Sequence, residues 1–345
     1  MKQDARNKTL EEWKEQLKEW GEPGFRAKQI DQWIWQKGAS SFTEMTNLSK
    51  DLRAQLEEHF EILPIMEDAV QYSQDGTIKS RYRLHDGHKI ESVLIPVPKD
   101  RRFTVCVSSQ VGCSLSCSFC ATGQMKRERN LTAAEIVDQV RKVNMQSEAQ
   151  FGHPLTNIVY MGMGEPLLAY KEVVKSIEKI TSADGLGMSP KRITVSTAGI
   201  AKAIKRLADD QSKVNLALSL HAATDEKRDP IMPINESNNL DVLMDAMKYF
   251  YEQTGNRISY EYIAFQDYND SIDDAKALYQ LCRSFPVKIN IIEYNPIDGA
   301  DFRASTIDRL DQFARYLTDR GVMVTVRRSR GKDIDAACGQ LANKG

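Results

Sequence analysis

Gly112-Cys113-Ser114-Leu115-Ser116-Cys117-Ser118-Phe119-Cys120-Ala121-Thr122-Gly123 sets three cysteines on one short loop at the spacing C-x3-C-x2-C. A structural zinc site or an ordinary ferredoxin cluster is closed by four protein ligands, so three thiolates leave one metal position open to a substrate or cofactor. Two blander readings stand beside it: a zinc loop completed by a distant residue, and three unrelated buried thiols.

Working outward, apolar β-branched runs recur at 103–107, 158–161, 193–195, 214–220, 258–263, 287–292 and 322–326, with helical stretches between them. That alternation predicts an α/β core on a parallel sheet, open or closed. One helix start is spelled out after the cysteine loop: Thr132 and Glu135 make a capping box, and Leu131 with Ile136 its hydrophobic staple. The motif-bearing loops all follow strands, the side on which barrels carry their sites. The cysteine loop follows the first run and Met161-Gly162-Met163-Gly164-Glu165-Pro166 the second. Ser196-Thr197-Ala198-Gly199 follows the third, Ser219-Leu220-His221 the fourth, and Glu293-Tyr294-Asn295-Pro296 the sixth. Gly162 and Gly164 would let the backbone approach a ligand, and Glu165 would accept from an ammonium. Taken singly, the glycine loop reads equally as a turn and His221 as a structural histidine.

Before the core, residues 69–108 alternate as a β-meander punctuated by Asp75-Gly76 and Asp86-Gly87. Period two places Glu91 on one face with Val93 and Ile95, where a desolvated carboxylate would suit proton abstraction. The rarity of buried carboxylates favours the competing expectation, an exposed charge on an edge strand. The same period groups Cys106 with Thr104 and Ser108 on the more polar strand face. The first sixty residues read as helices. Thr9 and Glu12 cap a segment carrying Leu10, Trp13, Leu17 and Trp20. A second carries Ile30, Trp33 and Ile34, and a third spans 49–60. The division expected is a helical accessory domain at 1–65, a linking meander at 66–100 and the core at 101–345.

Composition excludes several classes. With 345 residues, 41% hydrophobic and 28% charged, the chain is an ordinary globular protein of more than one unit. No apolar run approaches the ~20 residues of a membrane span. The opening Met1-Lys2-Gln3-Asp4-Ala5-Arg6 has no signal-peptide core, so a cytoplasmic location and no membrane partner are expected. There six cysteines point to metal or redox chemistry rather than a disulfide framework. Cys282 reads as a core thiol on a helix. A net charge of −1 gives no bulk positive field, so any nucleic-acid contact is local. Lys126, Arg127 and Arg129, then Arg327, Arg328, Arg330 and Lys332, are the candidates, with a solvated charged face as the alternative for each group.

The cysteine spacing, with Phe119 beside the last cysteine, resembles the signature of radical S-adenosylmethionine (SAM) enzymes. Three further strings narrow the resemblance: Cys106-Val107-Ser108-Ser109-Gln110-Val111-Gly112-Cys113, Gly162-Met163-Gly164-Glu165-Pro166, and Gly331-Lys332-Asp333-Ile334-Asp335-Ala336-Ala337-Cys338-Gly339-Gln340-Leu341. Together they are similar to the RlmN/Cfr family of radical SAM RNA methyltransferases, over residues 91–341, and the N-terminal helices resemble its accessory domain. Pro166 and Arg327-Arg328-Ser329-Arg330-Gly331 look more like the RlmN branch, which methylates carbon 2 of adenine, than the Cfr branch, which methylates carbon 8. Ala222-Ala223-Thr224 departs from the family's His-Ala-Pro and leaves that loop's geometry open.

The resemblance implies a radical SAM partial (β/α)6 barrel holding a [4Fe–4S] cluster on Cys113, Cys117 and Cys120, with two SAM molecules used per turnover. It implies SAM contacts at Gly164, Glu165, Ser196, Ser219, Leu220, His221 and Asn295. Cys338 would carry a methyl group, Glu91 would remove the ring proton, and Cys106 would form a disulfide with Cys338 to release product. The implied partners are 23S rRNA, at adenine 2503, tRNA, at adenine 37, and an external electron donor such as flavodoxin or ferredoxin, for a monomeric enzyme. The chemistry argues the same way: carbon 2 of adenine is electron-poor and cannot attack a sulfonium methyl, so a carbon radical and a flipped-out base are needed. A radical SAM enzyme acting on a non-RNA substrate remains open, as does an RNA-binding zinc protein.

Overall fold

A computed structural model describes residues 2–344. Its first helix, α1 (Leu10–Glu19), begins at the expected capping box, with Thr9 and Glu12 satisfying each other's backbone nitrogens. α2 (Arg26–Gln32) runs into a π-turn at Trp33–Lys37, and α3 (Lys50–His59) starts at Ser49. Trp13 and Trp35 are buried, and Trp13 meets Phe60 edge-on at 5.0 Å. The module docks on the core through Arg6–Asp138 at 2.6 Å and Lys179–Asp31 at 3.0 Å.

One ten-stranded sheet organises the rest, its strands side by side in chain order. They are β1 (Met66–Tyr72), β2 (Ile78–Arg83), β3 (Lys89–Val97), β4 (Arg102–Cys106), β5 (Asn157–Tyr160), β6 (Ile193–Thr197), β7 (Asn215–Ser219), β8 (Ile258–Ala264), β9 (Val287–Glu293) and β10 (Met323–Arg327). β1 to β4 pair antiparallel and β4 to β10 parallel. Among the described residues six helices of nine or more residues connect the parallel strands: α4 (Ala133–Phe151), α5 (Tyr170–Thr181), α6 (Ala201–Asp209), α7 (Leu240–Thr254), α8 (Ile272–Leu281) and α9 (Ile307–Thr318). Six strand–helix units followed by a seventh parallel strand make the expected (β/α)6 core. The meander pairs directly onto β4 and so extends the same sheet. α4 begins at its capping box, with Leu131 and Ile136 both buried.

The sheet is strongly curled, and the tail proves it. In a flat sheet β10 and β2 would lie about 38 Å apart, eight spacings of ~4.8 Å. Yet Gly331, four residues past β10, donates its backbone N–H to Asp75 Oδ2 in the β1–β2 turn at 2.9 Å. Four residues reach about 14 Å at most. Arg330 adds a bond to the Pro96 carbonyl at 3.0 Å. The result is a partial barrel whose open seam is crossed by the C-terminal tail. Among the described residues no helix is long and apolar enough to cross a membrane.

Candidate active site

Gln110–Val111 pairs antiparallel with Arg129–Asn130 and closes the base of the cysteine loop as a short ribbon. Gly112, at φ +72°, sits where a Cβ would lie 2.0 Å from the Lys126 carbonyl oxygen, so only glycine lets the two legs meet. Cys117 is buried, Cys113 and Cys120 partly so, and Phe119 packs edge-on against His221 at 4.7 Å. All six cysteines are free, so no resting disulfide joins Cys106 to Cys338. Burial pushes the Cys113 thiol up to about 11 and raises Cys120; Cys117 rises further, by burial and then by Cys120 and Cys113. Thiols that resist ionisation alone become thiolates against a strong positive charge. The loop therefore suits a metal centre with one unprovided position. No three His, Cys, Asp or Glu side chains among the described residues converge closely enough to share one ion.

The glycine loop packs closely on the strand before the cysteines. A Cβ on Gly162 would lie 2.8 Å from Ser108 Oγ and the Val107 backbone, and one on Gly164, at φ +93°, 2.4 Å from Gln110 Cβ. The missing side chains make room for the strand leading to the cysteines. That contact delivers Glu165, whose N–H donates to Gln110 Oε1 at 2.8 Å. Its carboxylate accepts from Leu167 N at 3.0 Å and Ala198 N at 2.8 Å. Burial pushes its pKa up to about 7, with those two amides opposing. Each oxygen keeps a lone pair for an incoming ammonium, which would offset the cost of burying the charge.

Further along the rim, Ser196 Oγ and Ser219 Oγ lie 3.3 Å apart. Ser219 pairs in register with Glu261 on β8, and Glu261 with Asn290 on β9, forming a polar row. Glu261 Oε1 accepts from Ser259 and Asn290; Asn290 Oδ1 and Asn295 Oδ1 are buried without a hydrogen-bond partner among the described residues, and Glu261 Oε2 has only the Arg327 guanidinium, 3.8 Å away. Orphaned acceptors of this kind fit a ligand carrying ammonium and hydroxyl donors. His221 takes the structural role: at φ +54° its Nδ1 accepts from Ile263 N at 3.0 Å. Burial, then Arg228, lower its pKa to about 3, so it is neutral and no acid. Arg228 is fully buried and donates to the carbonyls of Leu220 at 3.0 Å, Ala198 at 2.6 Å and Ser219 at 3.3 Å, and to Asn235. It ties two rim loops together beneath Cys117.

Cys106, Glu91, Val93 and Ile95 share one face of the sheet, because Val93 pairs with Cys106 and Ile95 with Thr104. Burial, then Cys338, push Cys106 up to about 12. Glu91 overturns the exposed-edge expectation. It is 1% exposed on a strand two in from the edge, and its Oε1 lies 3.4 Å from the Lys79 ammonium. A cavity of about 80 Å³ adjoins them, lined by Ala69, Gln71, Lys79, Arg81 and Lys344. Cys338 is exposed and lies within electrostatic reach of Cys120, Glu261 and Arg327. Its turn is held by Ala121 N to Gly339 O at 2.7 Å, Thr122 Oγ1 to Leu341 O at 2.6 Å and Asn295 Nδ2 to Cys338 O at 3.4 Å.

The basic candidates divide. Arg129 is committed to Asp86 and Glu135 at 2.6 and 2.8 Å, Arg330 to the barrel seam, and Lys332 to Glu293 at 2.8 Å. Lys126, Arg127, Arg327 and Arg328 are exposed, with Lys126 3.5 Å from Glu128, Arg127 donating to Asn130 Oδ1 at 3.0 Å and Arg327 3.8 Å from Glu261. Cys282 caps α8, its thiol donating to Leu278 O at 3.2 Å, as a core thiol should. The sequence reading missed Arg228, hidden in the polar run Asp225-Glu226-Lys227-Arg228-Asp229. It also missed Glu261 and Asn290, single polar residues between apolar ones in strands, where that alternation was the available signal, and Lys79, which opens the polar run Lys79-Ser80-Arg81 and carried no such signal.

The Ribosomal RNA large subunit methyltransferase N-terminal domain family matches residues 4–62, and the Radical SAM superfamily matches residues 107–281. A probable dual-specificity RNA methyltransferase RlmN of Cytophaga hutchinsonii is 54% identical, over 99% of this chain and 93% of its own length. A dual-specificity RNA methyltransferase RlmN of Geobacter sulfurreducens is 46% identical, over 99% and 92%. A radical SAM methyltransferase from Sphaerobacter thermophilus has the same architecture, with a TM-score of 0.92 and 40% identity over 99% of this chain and 100% of that one. With its three cysteines on the loop after the first parallel strand and its accessory helices docked alongside, the chain belongs to the RlmN family of radical SAM methyltransferases.

Proposed function

We propose that this enzyme methylates carbon 2 of adenine in 23S rRNA and in some tRNAs, through a methyl group carried on Cys338. The observation that carries the reading is the fastening of the Cys338 turn to the residues directly after Cys120, with Cys106 close enough to Cys338 for their charges to interact. Cys113, Cys117 and Cys120 would hold a [4Fe–4S] cluster, which would supply the electron for reductive cleavage of SAM. Glu165 holds the ammonium of that SAM, and Ser196, Ser219 and Asn295 line the rest of its site, with Gly164, Leu220 and His221 shaping the walls.

Cys338 takes a methyl from one SAM and, after losing a hydrogen atom from it, presents carbon to the base. Glu91 would accept the ring proton, and the adduct's unpaired electron would return to the redox centre on the cysteine loop. The Cys106 thiolate would then attack the Cys338 sulfur: a Cys106–Cys338 disulfide forms as the sulfur–carbon bond breaks, the electron pair goes to the product carbon, which takes a proton to become the methyl group, and the external donor reduces the disulfide by two electrons. Thiolate attack at sulfur is ordinary exchange chemistry. Residues 1–65 bring the RNA, 66–100 supply Glu91, and 101–345 hold the reacting groups. The enzyme acts as a cytoplasmic monomer with flavodoxin or ferredoxin as reductant.

Peptide mass spectrometry on anaerobically purified, cluster-loaded enzyme tests this. One added methyl on Cys338 after exposure to SAM alone is expected, and an unmodified Cys338 would sink the carrier mechanism. Nuclease digestion of the RNA product reads the ring position.

A further inference from the structure

Of the bonds that hold the Cys338 turn, two go to the cysteine loop and are the shortest. One is backbone to backbone, from Ala121 N to Gly339 O at 2.7 Å; the other is made by a side chain, from Thr122 Oγ1 to Leu341 O at 2.6 Å. Between those feet the turn is self-supporting. Gln340 N donates to Ala337 O at 3.1 Å, and Ala337 N donates to Gln340 Oε1 at 3.2 Å. Gly339 rides directly on the loop, where a Cβ would stand 3.2 Å from the Phe119 carbonyl oxygen. On the far side the bonds are longer, 3.4 Å from Asn295 to Cys338 O and 3.3 Å from Gln340 to Pro296 O. Thr122 itself is 3% exposed, so its hydroxyl works out of water, where one hydrogen bond sets geometry most firmly.

We propose that Thr122 is a positioning residue, whose hydroxyl bond to Leu341 fixes the Cys338 thiol relative to the cluster loop and so sets how many SAM cleavages end in methylated RNA. This rests on the reading of Cys338 as methyl carrier. A misplacement of about 1 Å at a reacting centre costs roughly 10²-fold in rate. Cleavage itself needs the three cysteines and the SAM site but not Cys338. Loss of the tether therefore separates two quantities that normally run together: deoxyadenosine formed and RNA methylated. The hydroxyl also lies beside Cys120. Service to that sulfur alone would alter the cluster instead.

The test compares wild type, Thr122→Val and Thr122→Ser in three measurements. These are iron and sulfide content with the reduced-cluster EPR spectrum, deoxyadenosine released per RNA methylated, and the rate of Cys338 alkylation by iodoacetamide in cluster-free protein. Thr122→Val is expected to keep its cluster and EPR signal, to raise the deoxyadenosine-to-product ratio at least about 10-fold, and to speed alkylation. Thr122→Ser should restore both. An unchanged ratio and alkylation rate would overturn the inference while leaving the carrier reading intact. An altered EPR signal or lost iron, with an unchanged ratio per cluster, would assign the hydroxyl to Cys120 and equally overturn it. A wild-type Cys338 that never gains a methyl would remove the carrier reading and the inference together. Should Thr122→Val not fold, Thr122→Ala carries the same arms.

Discussion

Glu91 Oε2 accepts the backbone N–H of Ala342 at 3.0 Å, four residues past Cys338, and that of Asn343 at 3.1 Å, while its other oxygen faces Lys79. One carboxylate thus anchors the tail and neutralises a buried lysine. Breaking a buried pair by removing one partner costs about 3–5 kcal/mol, whereas removing both costs much less. Glu91→Gln and Lys79→Met are each expected to lower unfolding stability by several kcal/mol. The double variant should lose less than their sum by roughly 1–3 kcal/mol. Urea denaturation of the four proteins measures it; strict additivity would show that the two charges do not see each other.

Glu165 gives a pH dependence of defined sign. Its folded pKa, about 7, stands above the ordinary 4.5, so the folded state holds its proton more tightly than the unfolded chain. Stability from this group is full below 4.5 and falls as pH rises to about 7, by up to about 3 kcal/mol. Denaturation of wild type against Glu165→Gln should show wild type losing ground across that window. SAM affinity should run the other way, rising as the carboxylate ionises, and Glu165→Gln should flatten that rise in titration calorimetry.

Arg228 is a buried cation with four acceptors and no route to water. Arg228→Met should cost at least about 3 kcal/mol, since each buried acceptor left unpaired costs roughly 1–3 kcal/mol. Arg228→Lys should recover only part, because an ammonium lacks the planar fork. Guanidinium unfolding checks the order methionine below lysine below wild type.

Gly164→Ala should fail as a fold rather than as a ligand site. Its Cβ would overlap Gln110 and its φ is +93°, so the loop carrying Glu165 must shift. Lower thermal stability of the cluster-free protein is expected; normal stability with weakened SAM binding would restore the ligand-approach reading.

Much of this was legible in the sequence because it is written locally. Capping boxes at Thr9 and Thr132, the turns at Gly76 and Gly87, and the strand runs are decided within a few residues. The face shared by Glu91 and Cys106 follows from period two in each strand, but only register puts Val93 opposite Cys106. What stayed hidden needs contacts between separate elements, eight to about 250 residues apart along the chain. Glu91 looked like an edge charge because its partners, Lys79 and the tail amides, come from another strand and the far end of the chain. Arg228 looked solvated because the carbonyls it serves lie on loops that only the folded barrel brings together. The glycines of Gly162-Met163-Gly164 announced a close approach without saying to what.

The seam crossed by Gly331 and Asp75 also sets an order of events during synthesis. The cysteine loop leaves the ribosome about two hundred residues before the tail that fastens onto it, an interval of roughly 10–40 s at 5–20 residues per second. Through that interval the barrel has no closing strap, and nothing is hydrogen-bonded over Ala121 and Thr122. The cysteine loop is thus more open to metal delivery before the segment around Cys338 is made than after it.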